Sequence, residues 1–160
     1  TVSYLKNIYL KNGYNHYEIS NFAKKGFESK HNLDCWDQRE YLGFGLAAHS
    51  YYRNKRFSNT NDLDEYINNI SKFNFTKNVE VHELQDREAK AKEFMLLGLR
   101  KINGVSISEF ERRFRVHPLF YFRFEISRLD EEGLLEVELD DIRLTKKGLD
   151  LANQVFEAFV

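Results

Sequence analysis

The sequence has little of what would staple, kink or anchor a chain. It contains one cysteine, Cys35, so no internal disulfide can form, and that scarcity fits a reducing compartment. It contains one proline, Pro118, so no proline-rich linker separates its parts. Neither sign of charge dominates: 24 Lys and Arg face 25 Asp and Glu, a net charge of -1. A general nucleic-acid binder normally carries a basic excess, and this chain has none. No apolar run approaches the roughly 20 residues that a membrane helix needs, and no signal-peptide pattern is visible. An initiator methionine is also lacking. The chain opens in mid-pattern at TVSYLKNIYLKNGYNHYEIS, and we expect a fragment that begins at the end of an α/β repeat.

What is present suits a globular chain. Hydrophobic residues make up 42% and charged residues 31% of 160 positions, enough for a sizeable core without covalent staples. Val2, Leu5, Ile8 and Tyr9 share a helical face, Gly13 stops it, and Tyr14 to Ile19 alternates as a strand. From Asn21 to Asn59 periodicity is poor, which is long for a plain connection and points to function. Phe22, Phe27, Trp36, Tyr41, Phe44, Tyr51 and Tyr52 oppose disorder there. Within it, Gly43 to Ala48 reads as a short buried strand whose glycines admit close backbone approach.

Beyond residue 60 the helical signals are stronger. Asn61 or Asp62 caps a helix bearing Leu63, Tyr66, Ile67 and Ile70. A second helix runs from about Asp86 to Lys101 and ends at Asn103-Gly104. Ser106 and Glu109 spell a capping box before a helix with Ile107, Phe110 and Phe114 on one stripe. Pro118 opens the next helix, with Leu119, Phe122, Ile126 and Leu129 inward and Gly133 as its stop. Leu135, Val137 and Leu139 alternate, Asp140-Asp141 turns and Arg143-Leu144 returns as a β-hairpin. Thr145 caps one closing helix with Leu149, Ala152, Val155, Phe156 and Phe159 inward. Three helices, a hairpin and a closing helix follow the winged-helix order.

That order invites a DNA-binding reading, which the charges oppose. The helix after Pro118, PLFYFRFEISRLDEEG, ends in acid, and so does the wing, EVELDD. Both would repel phosphates, so a packing module is preferred. The run Arg112-Arg113-Phe114-Arg115 reads as the solvated face of a short helix, with an anion patch as the alternative. His31 and Cys35 stand four apart with Asp34 and Asp37 near them, but no CxxC partner completes a zinc site. Haem iron needs only one His or Cys. Residue types alone leave His31 a loop histidine and Cys35 an incidental thiol. His49-Ser50 lacks an acidic partner, and no nucleophile elbow is present.

YEISNFAKKGFESKHNLDCW followed by EYLGFGLAAHSY closely resembles the oxygen-independent coproporphyrinogen oxidase-like radical SAM proteins, of the HemN and HemW types. The stretches EFMLLGLRKINGVS, Gly133-Leu134-Leu135 and IRLTKKGLDLANQVF are similar to that family's C-terminal domain. The resemblance covers essentially the whole chain. It implies an α+β fold: a mainly helical C-terminal domain with a winged-helix-like β-hairpin over residues 61–160, preceded over residues 1–60 by the last elements of a truncated α/β barrel. The family's barrel holds a four-iron four-sulfur cluster on three cysteines and cleaves S-adenosylmethionine; those cysteines are not in this chain. The fragment itself should be inactive.

The resemblance also assigns candidate residues. His31-Asn32-Leu33-Asp34-Cys35-Trp36 matches the H-N-x-x-Y-W haem motif of HemW-like proteins, with Cys35 at the tyrosine position. It implies His31 as haem-iron ligand, Asn32 and Trp36 beside the porphyrin, and Cys35 as a weaker second ligand. The family's G-x-G-P-G-A-H-S becomes Gly43-Phe44-Gly45-Leu46-Ala47-Ala48-His49-Ser50, which implies that Gly43, Gly45 and Ala47 lie near S-adenosylmethionine. The functions implied are a cytoplasmic haem chaperone that delivers haem to an acceptor protein, or an oxygen-independent coproporphyrinogen oxidase. A winged-helix nucleic-acid module is the weaker alternative. Membrane association through a partner, and a homodimer sheltering exposed apolar surface, are further expectations.

Overall fold

The computed structural model describes residues 8–84 and 86–160. They form two compact units, one holding residues 39–88 and the other the described residues on either side. Helices and strands are mixed in both. Val2 and Leu5 of the expected opening helix lie outside the described residues, and residues 8–11 are helical.

The larger unit starts with a hairpin of β1 (Asn15–Glu18) and β2 (Asn21–Ala23), paired antiparallel with His16 opposite Phe22. The Phe22 ring stacks on Tyr9 at 4.9 Å and on His16 at 4.4 Å. Helix α1 (Lys30–Trp36) follows. After the smaller unit come α3 (Arg87–Gly98), β6 (Val105–Ser106), α4 (Ile107–Phe114), α5 (Pro118–Tyr121) and α6 (Arg123–Glu131). Then β7 (Leu135–Glu138), β8 (Asp141–Leu144), α7 (Lys146–Asp150) and α8 (Ala152–Glu157) complete the chain. The sheet order is β6-β8-β7, so the strand entering α4 lies on the returning arm of the hairpin.

The core of this unit is apolar and contiguous. The stripes read from helical spacing meet in it: Met95, Leu99, Phe110, Leu129, Val155 and Phe159 are almost wholly buried. Edge-to-face rings link its layers, Phe94 to Phe110 at 5.8 Å, Phe110 to Phe122 at 5.9 Å and Phe122 to Phe159 at 5.4 Å. Such geometry suits the aromatic quadrupole, whose positive edge meets a negative face.

Three local expectations are corrected. The helix opened by Pro118 is two pieces, because Phe122 leaves helical backbone at φ -111, ψ 35 while its ring is buried in the core. The closing helix is likewise interrupted at Leu151, φ -117, ψ 27. The capping box is half made. The Ser106 hydroxyl accepts from the Glu109 amide at 3.2 Å. The Glu109 carboxylate does not reach back; it binds Arg112 at 2.7 Å and Arg113 at 2.6 Å, charge-assisted donors that outcompete one amide. Asp140, in the hairpin turn, ties onto α4 instead, accepting from the Ser106 and Ser108 hydroxyls at 2.8 Å each and from the Ser108 amide at 2.8 Å. These donors, the Ser108 hydroxyl first, hold its carboxyl below the usual range.

The smaller unit is an antiparallel sheet of β3 (His49–Tyr52), β4 (Lys55–Asn59) and β5 (Val79–Leu84), in that order. It carries α2 (Leu63–Ser71) and a 3-10 turn over Phe75–Asn78. The expected N-cap is Asp62, whose carboxylate accepts from the Glu65 amide at 2.8 Å. Its buried residues are mostly polar: Ser50, Ser58, Thr60, Asn69 and Asn78, with Tyr51. The Asn69 side-chain amide donates to Asn78 Oδ1 at 2.9 Å. The apolar stripe of α2 faces outward, leaving Leu63 56% and Ile67 55% exposed.

Candidate functional site

Helix α1 sets the geometry of the first candidate site. The Ser29 hydroxyl starts it by accepting from the Asn32 amide at 3.3 Å, and Asp37 closes it with its amide on the Cys35 and Leu33 carbonyls. It has only seven residues, none fully buried. Helices this short are marginal alone, so tertiary contacts decide where it sits.

His31 is exposed, and its Nε2 lies 3.8 Å from Cys35 Sγ. The two are one turn apart on one face. Trp36 is half-buried at the other end and points to the residues that follow α3. The Arg100 guanidinium lies over its ring at 4.6 Å and also over the Phe156 ring of α8 at 5.3 Å. The next two residues add ties of their own. Lys101 Nζ pairs with Asp37 Oδ1 at 2.5 Å. The Gln38 amide donates to Glu93 Oε2 at 2.8 Å and to the Lys90 carbonyl at 3.3 Å. Backbone bonds join the preceding hairpin to the same region, from the Ile19 amide to the Arg100 carbonyl at 2.9 Å and from the Ile102 amide to the Tyr17 carbonyl at 3.2 Å.

This arrangement can offer a single imidazole to an incoming metal. Among the described residues, no group of three or more His, Cys, Asp or Glu side chains is arranged to hold a metal ion. Haem iron needs one protein ligand, and the exposed ring of His31 meets that requirement. One cysteine cannot supply the three thiolates of a four-iron cluster.

The second candidate, Gly43-Gly45-Ala47, lies in the smaller unit, and its stretch is a turn where a buried strand was expected. Asn59 Nδ2 donates to the Gly45 carbonyl at 2.7 Å and the Ala47 amide to the Thr60 carbonyl at 3.0 Å. Curled this way, it leaves Leu42 52% and Phe44 89% exposed. A short apolar run reads equally well as strand or turn, and the strand begins instead at His49. Gly43 has a packing reason of its own, since a Cβ there would meet the His49 carbonyl oxygen at 2.2 Å. Ala47 holds φ +55, a left-handed backbone, at the position where the family pattern carries its third glycine.

Sequence reasoning missed Arg100, Lys101 and Gln38. Asp37 and Lys101 are 64 positions apart, and nothing in either local pattern announces the pairing.

With this geometry in place, comparisons with known proteins show what the chain is similar to. Residues 85–151 match the HemN C-terminal domain. The haem chaperone HemW of Lactococcus lactis is 38% identical over 157 residues, covering 98% of this chain. Along nearly its whole length the chain is thus similar to HemW, and residues 85–151 carry the HemN C-terminal domain. HemW of Bacillus subtilis is 39% identical over 148 residues, or 92% of this chain. These matches take in 40% and 38% of the respective relatives, so the chain spans about two fifths of their length. Among solved structures, coproporphyrinogen III oxidase (HemN) from Escherichia coli, described as a radical SAM enzyme, matches with a TM-score of 0.75. It is 17% identical and covers 99% of this chain and 39% of that one, a likeness of fold. No helix among the described residues is long and apolar enough to cross a membrane.

Proposed function

We propose that this chain is the C-terminal portion of a radical SAM haem chaperone of the HemW type, which binds haem as cargo and passes it to an acceptor protein. One observation carries the reading: relatives named HemW match along nearly the whole chain, which presents His31 exposed on α1. In this reading residues 1–60 close an upstream barrel, and residues 61–160 form the C-terminal domain with its winged-helix-like hairpin. The cluster and S-adenosylmethionine belong to the full-length protein, with Gly43, Gly45 and Ala47 near the latter.

The chain's own part is ligation and presentation. The neutral imidazole of His31 gives its lone pair to haem iron. Trp36 covers porphyrin surface with the ring face that Arg100 leaves open, and Asn32 flanks the site. Cys35, 3.8 Å from His31 Nε2, is the weaker second ligand. A single exposed ligand suits cargo that must leave again. The acceptor meets this protein in the cytoplasm, with membrane association only through that partner, and a homodimer shelters the exposed apolar stripe. The acidic hairpin disfavours nucleic acid.

Substituting His31→Ala tests this directly. The variant is expected to lose the haem Soret signature in a haemin titration, and an unchanged titration would remove His31 from the site. The second reading, oxygen-independent coproporphyrinogen oxidase, is favoured by the HemN fold match. Product analysis of the full-length protein with coproporphyrinogen separates the two, since protoporphyrinogen formed there contradicts a pure chaperone.

A further inference from the structure

The geometry points to Arg100 as the positioning residue that clamps Trp36, and with it the His31-bearing helix, onto the C-terminal domain. This rests on the haem reading of α1 for its purpose and on contacts independent of that reading for its existence. Helix α1 has no fully buried residue. At its C-terminal end Trp36, Asp37 and Gln38 reach Arg100, Lys101, and Lys90 with Glu93.

Arg100 differs from the other ties because it acts on two elements at once. Its guanidinium stands 4.6 Å from the Trp36 ring and 5.3 Å from the Phe156 ring, between the motif helix and the closing helix α8. A planar, always-charged guanidinium can stack on both rings, which an ammonium cannot. Its carbonyl also receives the Ile19 amide at 2.9 Å, so the same residue ties down the turn of the hairpin that precedes α1. His31 lies five residues from the clamp, about 7.5 Å along a helix axis, near enough for a tilt at Trp36 to swing the imidazole. One face of the indole is thereby committed to the protein. Buried Trp36 Nε1 and Arg100 Nε have no hydrogen-bond partner among the described residues, so stacking is what holds the two side chains together.

Trp36 is the sole tryptophan, so its emission reports on the clamp without haem. In the 160-residue chain, Arg100→Ala is expected to shift emission to the red and raise acrylamide quenching, with far-UV dichroism unchanged. Arg100→Lys, which keeps charge without the plane, should fall between, as should Phe156→Leu, which removes the opposite ring and leaves Trp36 intact. With haemin, Arg100→Ala should weaken binding about tenfold or more, the usual cost of losing a residue that orients a ligand, while His31→Ala abolishes it. Unchanged emission and quenching in Arg100→Ala would overturn the clamp whatever haem does. Shifted emission with wild-type haemin affinity would overturn the positioning role. Failure of the unsubstituted chain to bind haemin would instead remove the haem reading, and emission would still decide the clamp.

Discussion

The two units bury opposite kinds of side chain. The larger unit closes on a contiguous apolar cluster, from Ala91 through Phe110 to Phe159. The smaller buries Ser50, Ser58, Thr60, Asn69 and Asn78 and turns Leu63, Ile67, Phe73 and Val81 outward. Helical periodicity is present in both, yet only in the larger does the apolar stripe mark the inside. A stripe therefore says that a face wants cover, not that the same unit supplies it. In the smaller unit, strand ladders and side-chain amides do what apolar burial does elsewhere. The contrast is sharpest where one truncation is read in each. Phe110→Ala should cost about 3–5 kcal/mol, because it opens a cavity among four neighbouring rings. Ile67→Ala should stay within about 0.5 kcal/mol, as for an exposed side chain. Comparable losses in urea melts would break the comparison.

Polar burial gives the next largest effect. Asn69→Ala removes the donor from Asn78 Oδ1 deep inside the smaller unit and should cost about 1–3 kcal/mol, the penalty for a stranded buried acceptor. Replacing both asparagines by Ala should cost less than the two single changes summed, because no stranded partner remains. Strict additivity in a double-mutant cycle would show that the pair is not coupled.

Much of the larger unit was legible in the sequence. Ile107, Phe110 and Phe114 sit on the buried stripe that their spacing predicts, and the hairpin from Leu135 to Leu144 forms. Its turn is at Leu139-Asp140, one residue before the expected Asp140-Asp141, which leaves Leu139 outside the strand. Gly13, Gly104 and Gly133, read as helix stops, all hold left-handed backbone. Such signals are local, and local signals survive folding. What failed was set by distant partners. Phe122 breaks its helix while its ring is buried between Phe110 and Phe159. Glu109 abandons its capping role for two arginines. The haem role proposed for His31 and Trp36 rests on family likeness alone, and the place of Arg100 against Trp36 was legible from nothing in the sequence. Its partner is far along the chain, and an arginine in the turn after a helix is ordinary.

Ala47 offers a smaller, opposite effect in the smaller unit. An alanine at φ +55 pays for left-handed backbone that glycine adopts freely, a cost of about 1–2 kcal/mol. Glycine also loosens the unfolded chain by about 0.4–1 kcal/mol, so Ala47→Gly should stabilise by roughly 0.5–1 kcal/mol net. A destabilised Ala47→Gly variant would mean that the turn around Gly45 does not hold this backbone.

The smallest effect returns to the larger unit and depends on pH. A hydrogen bond from Arg112, opposed by partial burial and reinforced by Arg113, brings the Glu109 carboxyl down to about 2 from an ordinary 4.5. The folded carboxyl is thus the stronger acid. Its contribution is present above pH 4.5 and is lost as pH falls from there toward 2, where the folded carboxyl also takes up its proton. Arg112 is 67% exposed, so water and salt screen the pair, and the contribution at neutral pH should stay below about 1 kcal/mol. Glu109→Gln should lower the melting temperature slightly at pH 7, and the gap to the parent chain should narrow on acidification and shrink in high salt. A gap that widens below pH 4.5 would reverse the sign and show that Glu109 is not held by its arginines.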